Sequence, residues 1–208
     1  MAQYGFYFDS ASCTGCKTCQ VSCKENYHLP VHNLLRRVYL YQGGSWEPTA
    51  TGFYTPNGVF SYQISMACNH CADPACVASC PTGAMQKDPE TGIVWTDPEV
   101  CIGCGTCVAA CPYKAPQIHE ETGLAVKCDM CKDEVAAGRK PYCVAACPMR
   151  ALDWGEYDEL VAKYGEGNVE VAPLPANTTN PCLVLNPHPK AQPTGSAEGA
   201  EISLAEEL

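Results

Sequence analysis

The 208-residue chain alternates apolar and polar positions in short runs that are separated by turn-forming residues. Aromatic and small residues alternate over residues 4–8, which predicts a strand, and residues 36–41 and 59–64 predict two more. Residues 156–163 have the apolar spacing of a helix that would end before Gly165. Because glycine and proline, at 17 residues each, supply many turns, we expect an α+β fold of short elements.

Two β-hairpins are predicted in the middle of the chain. Residues 84–87 and 93–96 flank the turn sequence DPETG, and residues 117–119 and 124–126 flank a second turn. A helical turn is predicted at 133–137. The hairpins recur between segments of similar composition, which indicates an internal repeat.

An insert and a tail flank these repeats. Residues 31–67 are expected to form a small β-rich insert, with turns at Gly43-Gly44 and at 56–58, that packs beside the rest or offers a docking surface. Proline, asparagine, threonine and glycine dominate residues 171–208, apart from a possible strand at 182–185. We expect an extended, irregular tail whose last fifteen or so residues are disordered or bound to a partner.

Seventeen cysteines, about 8% of the chain, change this picture. Run III, at residues 101–112, reads C-x2-C-x2-C-x3-C-P, which is the spacing of a bacterial ferredoxin run for a 4Fe–4S cluster. Gly103 and Gly105 allow the sharp turn that wraps three cysteines around one cubane. The fourth cysteine of such a run belongs to a second cluster, so each run needs a partner.

Three further runs supply such partners. Run I is C-x2-C-x2-C-x3-C from Cys13, run II is C-x2-C-x4-C-x3-C-P from Cys68, and run IV is C-x2-C-x11-C-x3-C-P from Cys128. The short hairpin between runs II and III favours their pairing, which leaves run I to pair with run IV. Sequential pairing, I with II and III with IV, stays open but is disfavoured by the long insert at 24–67.

The nested pairing predicts four 4Fe–4S clusters and sixteen ligands. The ligand sets are Cys13, Cys16, Cys19 and Cys147 for cluster A; Cys128, Cys131, Cys143 and Cys23 for cluster B; Cys101, Cys104, Cys107 and Cys80 for cluster C; and Cys68, Cys71, Cys76 and Cys111 for cluster D. The chain would then consist of two two-cluster ferredoxin-like units with an insert and a tail. Their predicted bounds are 1–30 with 112–170 for runs I and IV, 31–67 for the insert, 68–111 for runs II and III, and 171–208 for the tail.

The seventeenth cysteine, one histidine and three lysines are not predicted to be ligands. Cys182 has no second cysteine nearby and is expected to be a small buried hydrophobic residue. His70, between two cysteines of run II, is expected to be a neighbour of the ligands or a surface residue. Lys17, Lys114 and Lys127 are expected to be solvated, although each is near enough to a run to offset cluster charge.

Composition and missing motifs exclude several classes of function. A net charge of −10 argues against a nucleic-acid partner. The chain has neither a recognisable signal peptide nor an apolar run of about 20 residues, so we expect no transmembrane segment. Nucleotide-binding and acyl-transfer motifs are also missing. A zinc-held or disulfide-held module is the remaining structural alternative, and its cysteines would be spaced differently.

The order and spacing of the runs also resemble a known family. The phrases QYGF, CTGCKTC, CNHC, DPAC, VCIGC, ACPY, APLP and QPTG are similar to those of the iron–sulfur subunit of dimethyl sulfoxide reductase. This resemblance extends over nearly the whole chain and belongs to the four-cluster subunits of molybdopterin oxidoreductases. The nitrate reductase type has an aromatic residue where this chain has Cys104, so the resemblance implies four complete cubanes.

The resemblance implies an electron-transfer subunit with no active site of its own. Its partners would be a molybdopterin catalytic subunit, near clusters A and B, and an integral membrane quinol-oxidising anchor subunit, near clusters C and D. Electrons would pass in the order D, C, B, A during anaerobic respiration. The alternatives are an equivalent subunit of a polysulfide, thiosulfate, tetrathionate or other molybdopterin reductase, or a stand-alone polyferredoxin carrier.

The same resemblance implies a location. The chain would be peripheral on the cytoplasmic membrane, on its extracytoplasmic face, after co-export with the catalytic subunit. A cytoplasmic location is the alternative.

Overall fold

A computed structural model describes residues 2–202 and has the expected α+β architecture of short helices and strands. The strands are β1 (Tyr4–Asp9), β2 (Arg37–Pro48), β3 (Tyr54–Met66), β4 (Met85–Lys87), β5 (Val94–Thr96), β6 (Gln117–Ile118), β7 (Ala125–Val126), β8 (Leu152–Glu156), β9 (Leu183–Asn186) and β10 (Gly199–Glu201). The helices are α1 (Thr18–Asn26), α2 (Ala75–Ala78), α3 (Thr106–Ala110), α4 (Lys132–Ala136), α5 (Tyr142–Ala146) and α6 (Tyr157–Tyr164).

A three-stranded sheet brings distant parts of the chain together. Strand β1 pairs with β8 in antiparallel register and with β9 in parallel register, so the sheet order is β8-β1-β9. Phe6 and Phe8 of β1 and Leu185 of β9 are buried on this sheet. Because β1 leads directly into run I and β8 directly follows run IV, the sheet holds these two runs beside each other.

The insert forms a long hairpin of β2 and β3, with β10 added on the outer side of β2. The predicted turns at Gly43-Gly44 and 56–58 are wrong, because both segments lie within the paired strands and the chain reverses at 49–53. A β-bulge shifts the register between Gly43 and Ser45. Gly44 has φ 89°, and a Cβ there would lie 2.6 Å from the Gly58 backbone, so glycine permits a bulge here rather than a turn.

The two predicted hairpins are confirmed as β4-β5 and β6-β7. The predicted helical turn at 133–137 corresponds to α4. Helix α6 ends at Tyr164, and the next residue, Gly165, has the positive φ of 86° that favours glycine after a helix.

The C-terminal segment differs from the irregular tail that was expected. Val171 and Leu174 are buried, β9 is the innermost part of the segment, and β10 pairs with β2. A composition rich in turn formers therefore describes well-packed loops here, because scattered apolar residues tie them to the core. Residues 203–208, where part of the predicted disorder falls, lie outside the described residues.

Candidate iron–sulfur cluster sites

The first turn of every cysteine run has the same backbone shape. The residue before the second cysteine has a positive φ in all four runs: Gly15 (69°), His70 (44°), Gly103 (66°) and Met130 (60°). In runs II and IV the backbone N–H of this residue donates to the sulfur of the first cysteine, Cys68 or Cys128, over 3.4 Å. The loops therefore turn their N–H groups toward sulfur, even where glycine is not present.

Three cavities are each lined by four cysteines from two different runs. Their volumes are similar, about 330, 350 and 310 Å³ including solvent at their mouths. The cysteines that line them are Cys13, Cys16, Cys19 and Cys147 in the first; Cys68, Cys71, Cys76 and Cys111 in the second; and Cys80, Cys101, Cys104 and Cys107 in the third. These groups coincide with the predicted sets A, D and C.

The remaining four predicted ligands, the set B cysteines, are all buried. Burial first, and then the proximity of Cys143, raise the pKa of Cys23. Burial and the proximity of Cys23 likewise raise the pKa of Cys128, which also has Cys131 and Cys143 as neighbours. Helix α1 packs against α5, and α2 packs against α3. This helix pairing is the one required by the nested arrangement of the runs.

Hydroxyl groups accompany many of the cysteines. The sulfur–oxygen pairs are Cys16 with Thr18 at 3.3 Å, Cys19 with Ser65 at 3.4 Å, Cys71 with Thr179 at 3.2 Å, Cys80 with Thr82 at 3.7 Å, and Cys104 with Thr106 at 3.3 Å. Two backbone groups also donate to sulfur over 3.4 Å: Met85 N to Cys80 and Ala125 N to Cys101. Each of these groups can donate to a thiolate, which favours the ionised form that binds metal.

The cysteines differ strongly in exposure. Cys16 and Cys104 are exposed, and the hydroxyls of Thr18 and Thr106 lower the pKa of their thiols. Burial raises the pKa of Cys71 to about 12, and it also raises the pKa of Cys76 and of Cys128. A thiol with such a raised pKa keeps its proton at neutral pH, so metal binding by Cys71 must release a proton.

Arg36 is a residue of the site that no sequence pattern indicated, and it is only 2% exposed. Its Nη1 donates to the carbonyl and hydroxyl oxygens of Ser65, at 3.3 and 3.1 Å, and its guanidinium lies 4.8 Å from the ring of Phe6. Within residues 2–202, its Nε and Nη2 have no hydrogen-bond partner. Burial alone would lower the pKa of Arg36, but the nearby sulfur groups, Cys143 and Cys19 foremost, raise it.

This buried cation tests whether an iron–sulfur cluster fits the site. A buried guanidinium is unfavourable unless anionic partners surround it. The groups around Arg36 are cysteines of sets A and B, which would carry negative charge as metal ligands. The donor set and the orphaned N–H groups of Arg36 therefore fit an anionic cluster. The arginine could not be found from spacing because it lies in the insert, outside every run.

The lysines differ from the expectation that all three are solvated. Lys114 is exposed and Lys17 is half-buried, whereas Lys127 is only 4% exposed. The Nζ of Lys127 donates to the carbonyl oxygens of Val94 and Cys128. It lies near enough to Cys76 and Cys111 to lower the pKa of both thiols, against the larger effect of burial. Lys127 is thus a second buried cation, placed beside set D.

The four cysteine sets follow one another in a row. Cys19 of set A neighbours Cys143 of set B, and Cys128 of set B neighbours Cys68 of set D. Cys76 of set D packs in the same apolar cluster as Cys107 of set C. The order in space is therefore A, B, D, C, and the exposed Cys16 and Cys104 lie in the two terminal sets.

Cys182 belongs to none of the predicted ligand sets, although Cys71 and Cys68 of set D are near it. It is buried, lines none of the three cavities, and its thiol lies 3.9 Å from the Asn180 carbonyl oxygen. Within residues 2–202 no three His, Cys, Asp or Glu side chains converge closely enough to hold a single metal ion. The cysteines surround cavities instead of meeting at a point.

The fold and the cysteine sets define the class as a ferredoxin-type 4Fe–4S protein. A 4Fe–4S dicluster domain family matches residues 59–157, and a 4Fe–4S binding domain family matches residues 10–27. The predicted cofactor, 4Fe–4S clusters, is confirmed, and the sixteen cysteines in four sets suit four of them. No helix within residues 2–202 is long and apolar enough to cross a membrane.

Curated relatives narrow the class further. The sequence is 50% identical over 200 residues to the B subunit of the anaerobic dimethyl sulfoxide reductase of Haemophilus influenzae, covering 96% of both proteins. It is 50% identical to the corresponding B subunit of Escherichia coli K12, covering 95% of both, and 37% identical to the thiosulfate reductase electron transfer subunit PhsB of Salmonella typhi, covering 81% and 84%. The protein is a member of the family of iron–sulfur electron-transfer subunits typified by the B subunit of anaerobic dimethyl sulfoxide reductase. The resemblance inferred from its motifs is confirmed.

Proposed function

We propose that the chain relays electrons from an integral membrane quinol-oxidising anchor subunit to a molybdopterin catalytic subunit. The observation that carries the proposal is the row of four cysteine sets that reaches the surface at both ends, at Cys16 and at Cys104. A relay needs such a row, with one accessible end for the donor and another for the acceptor.

The proposed ligands are the sixteen cysteines of sets A to D as predicted. Three shared cavities and the helix pairs α1–α5 and α2–α3 support the exchange of fourth ligands within the pairs I–IV and II–III. The proposed units keep the predicted bounds, 1–30 with 112–170 and 68–111. When bound, a 4Fe–4S cluster accepts and releases one electron.

The spatial order supports a route that differs from the one first expected. The resemblance suggested D, C, B, A, but Cys68 of set D neighbours Cys128 of set B, and set C lies at the end of the row. We therefore assign the order C, D, B, A. The chain's own residues bury the inner sets and direct N–H and O–H groups at sulfur, which are the features that tune potentials in such proteins.

The two ends of the row have the character of docking surfaces. Ile102, which lines the set C cavity with Cys104, is 65% exposed, and Met149, which lines the set A cavity with Cys16, is 46% exposed. Val100 and Val21, close to these cysteines in sequence, are exposed at 45% and 55%. Exposed apolar residues grouped around a site favour protein contact. We assign the Cys104 end to the membrane anchor and the Cys16 end to the catalytic subunit.

The function is tested by elemental analysis of the native complex, purified anaerobically through a tag on this chain. We expect about sixteen irons per chain from four cubanes, any iron of the partner in addition, and molybdenum. The same iron without molybdenum or tungsten would favour a stand-alone carrier, and zinc in place of iron would refute electron transfer. An equivalent subunit of a thiosulfate or polysulfide reductase is separated by assaying the complex with those acceptors.

The proposed location is the extracytoplasmic face of the cytoplasmic membrane. Protease added to spheroplasts should digest the tagged chain if this location is correct. Digestion only after lysis would establish the cytoplasmic alternative.

A further inference from the structure

We propose that His70 is a positioning residue that bridges the two halves of the relay, with its ring N–H donating to Cys128 and its backbone N–H donating to Cys68. This inference rests on the proposed ligand map, in which Cys68 belongs to set D and Cys128 to set B. It assigns to His70 a role that neither the cysteine spacing nor the family match provides.

The hydrogen bonds of the ring fix its tautomer. The backbone N–H of Val94 donates to Nδ1 of His70 over 3.0 Å, so Nδ1 carries no proton. A neutral imidazole with an acceptor at Nδ1 must carry its proton on Nε2. Nε2 lies 4.0 Å from Cys128 Sγ, and this N–H is therefore the donor to the cysteine sulfur.

The backbone of His70 makes the second half of the bridge. Its N–H donates to Cys68 Sγ over 3.4 Å, and its carbonyl accepts from Gln3 Nε2 over 3.0 Å. One residue therefore links the sulfur of a run II cysteine to the sulfur of a run IV cysteine. The two runs belong to different ferredoxin-like units, so this link spans the boundary between them.

The surroundings of His70 hold the ring in place. The side chain is fully buried, and its centroid lies 6.1 Å from that of Phe6. The backbone N–H of Val94 holds Nδ1 as an acceptor, and the side chains of Lys127 and Arg36 lie nearby. Runs I and III have glycine at the corresponding position, so the turn itself does not require an imidazole.

Two consequences follow for the relay. A hydrogen bond to a ligand sulfur favours the more negative, reduced state, so His70 raises the potential of the site that contains Cys128. The two hydrogen bonds of His70 also connect Cys68 of set D to Cys128 of set B, which gives one electron a short path between the two sets. No bond forms or breaks in this step, and the Nε2 proton remains on His70.

The test compares redox titrations of the whole complex, followed by electron paramagnetic resonance, for His70→Phe and for the control Met130→Leu. Phenylalanine provides an aromatic ring without an N–H donor. Met130 is the control because it occupies the same loop position in run IV and its side chain has no donor. A Cys23→Ser variant identifies the cluster B signal. We expect His70→Phe to reduce the ratio of reduced to oxidised cluster B at a fixed potential about tenfold, which is about 59 mV for one electron.

Clusters A and C should titrate as in the wild type, and His70→Gln, which retains an N–H donor, should recover part of the shift. Four complete clusters with an unchanged cluster B potential in His70→Phe would overturn the bridge while leaving the proposed function intact. A wild-type complex without four clusters would instead overturn the proposed function.

A measurement without any variant covers the case in which His70→Phe fails to assemble. In wild-type complex labelled with ¹⁵N-histidine, the reduced cluster B signal should show a coupling to an imidazole nitrogen. A spectrum without histidine coupling would refute the donor role of His70.

Discussion

Replacing Arg36 by methionine should lower the reduction potentials of clusters A and B. Arg36 is fully buried, its Nε and Nη2 have no hydrogen-bond partner within residues 2–202, and cysteines of both sets surround it. Adding an electron to either site increases the negative charge that Arg36 offsets. Methionine has a similar length and no charge, so it removes this compensation while leaving little empty space.

The size of the effect follows from the hydrogen bonds of Ser65. Arg36 Nη1 lies 3.1 Å from Ser65 Oγ, which lies 3.4 Å from Cys19 Sγ, so the cation is within about 6.5 Å of a set A sulfur. Two unit charges at that separation interact by about 2.5 kcal/mol with an effective dielectric constant of 20. Expressed as a one-electron potential, this is on the order of 100 mV.

The assay is a redox titration of the purified complex, with each cluster followed by its electron paramagnetic resonance signal. Arg36→Lys keeps the charge and should shift the potentials much less. Arg37→Met is a matched control, because Arg37 donates to the carbonyl oxygens of Tyr113 and Lys114 outside sets A and B. Unchanged potentials for A and B in Arg36→Met, with full iron content, would refute the charge-compensation argument.

Substitutions at other positions also have defined outcomes. Cys104→Ser should damage cluster C alone and leave a three-iron species in the electron paramagnetic resonance spectrum. Cys182→Ser should leave the signals of all four clusters intact. Loss of a second cluster in Cys104→Ser would contradict the ligand map. Burial opposes the ionisation of Asp153, but hydrogen bonds from Tyr164 and Lys163 overcome it and lower its pKa; its stabilisation is complete above its ordinary pKa and lost as pH falls through the lowered value. Asp153→Asn should therefore cost about 1 kcal/mol in the free energy of unfolding at pH 7. An unchanged free energy of unfolding in urea titrations at pH 7 would argue against this. Gly44→Ala should destabilise the β2-β3 hairpin by about 1–3 kcal/mol, as measured by thermal unfolding. Gly52→Ala is the control, because a Cβ at Gly52 would meet open space. Equal losses of stability in the two variants would exclude the close approach to Gly58 as the cause.

Much of the fold was predictable where the information is local. The strand at residues 4–8, the hairpins β4-β5 and β6-β7, and helix α6 follow from alternation and turn residues that lie next to one another. The turns of the insert were misplaced because Gly44 forms a β-bulge, which the pattern of glycines cannot distinguish from a turn. The tail was misjudged because its few apolar residues find partners on β1 and β2, far away in sequence.

By itself, the sequence determined which cysteines are the candidate cluster ligands, because each loop that would wrap a cubane is built from one short run with fixed spacing. Only the tertiary structure decided the order of the four sets and the charges around them. Arg36, Lys127 and His70 come from the insert, a linker and run II, yet each is buried beside sulfur from distant runs. The physical reason is that ligation is a local geometric requirement, whereas burial, charge compensation and hydrogen bonding between sets depend on packing across the whole chain.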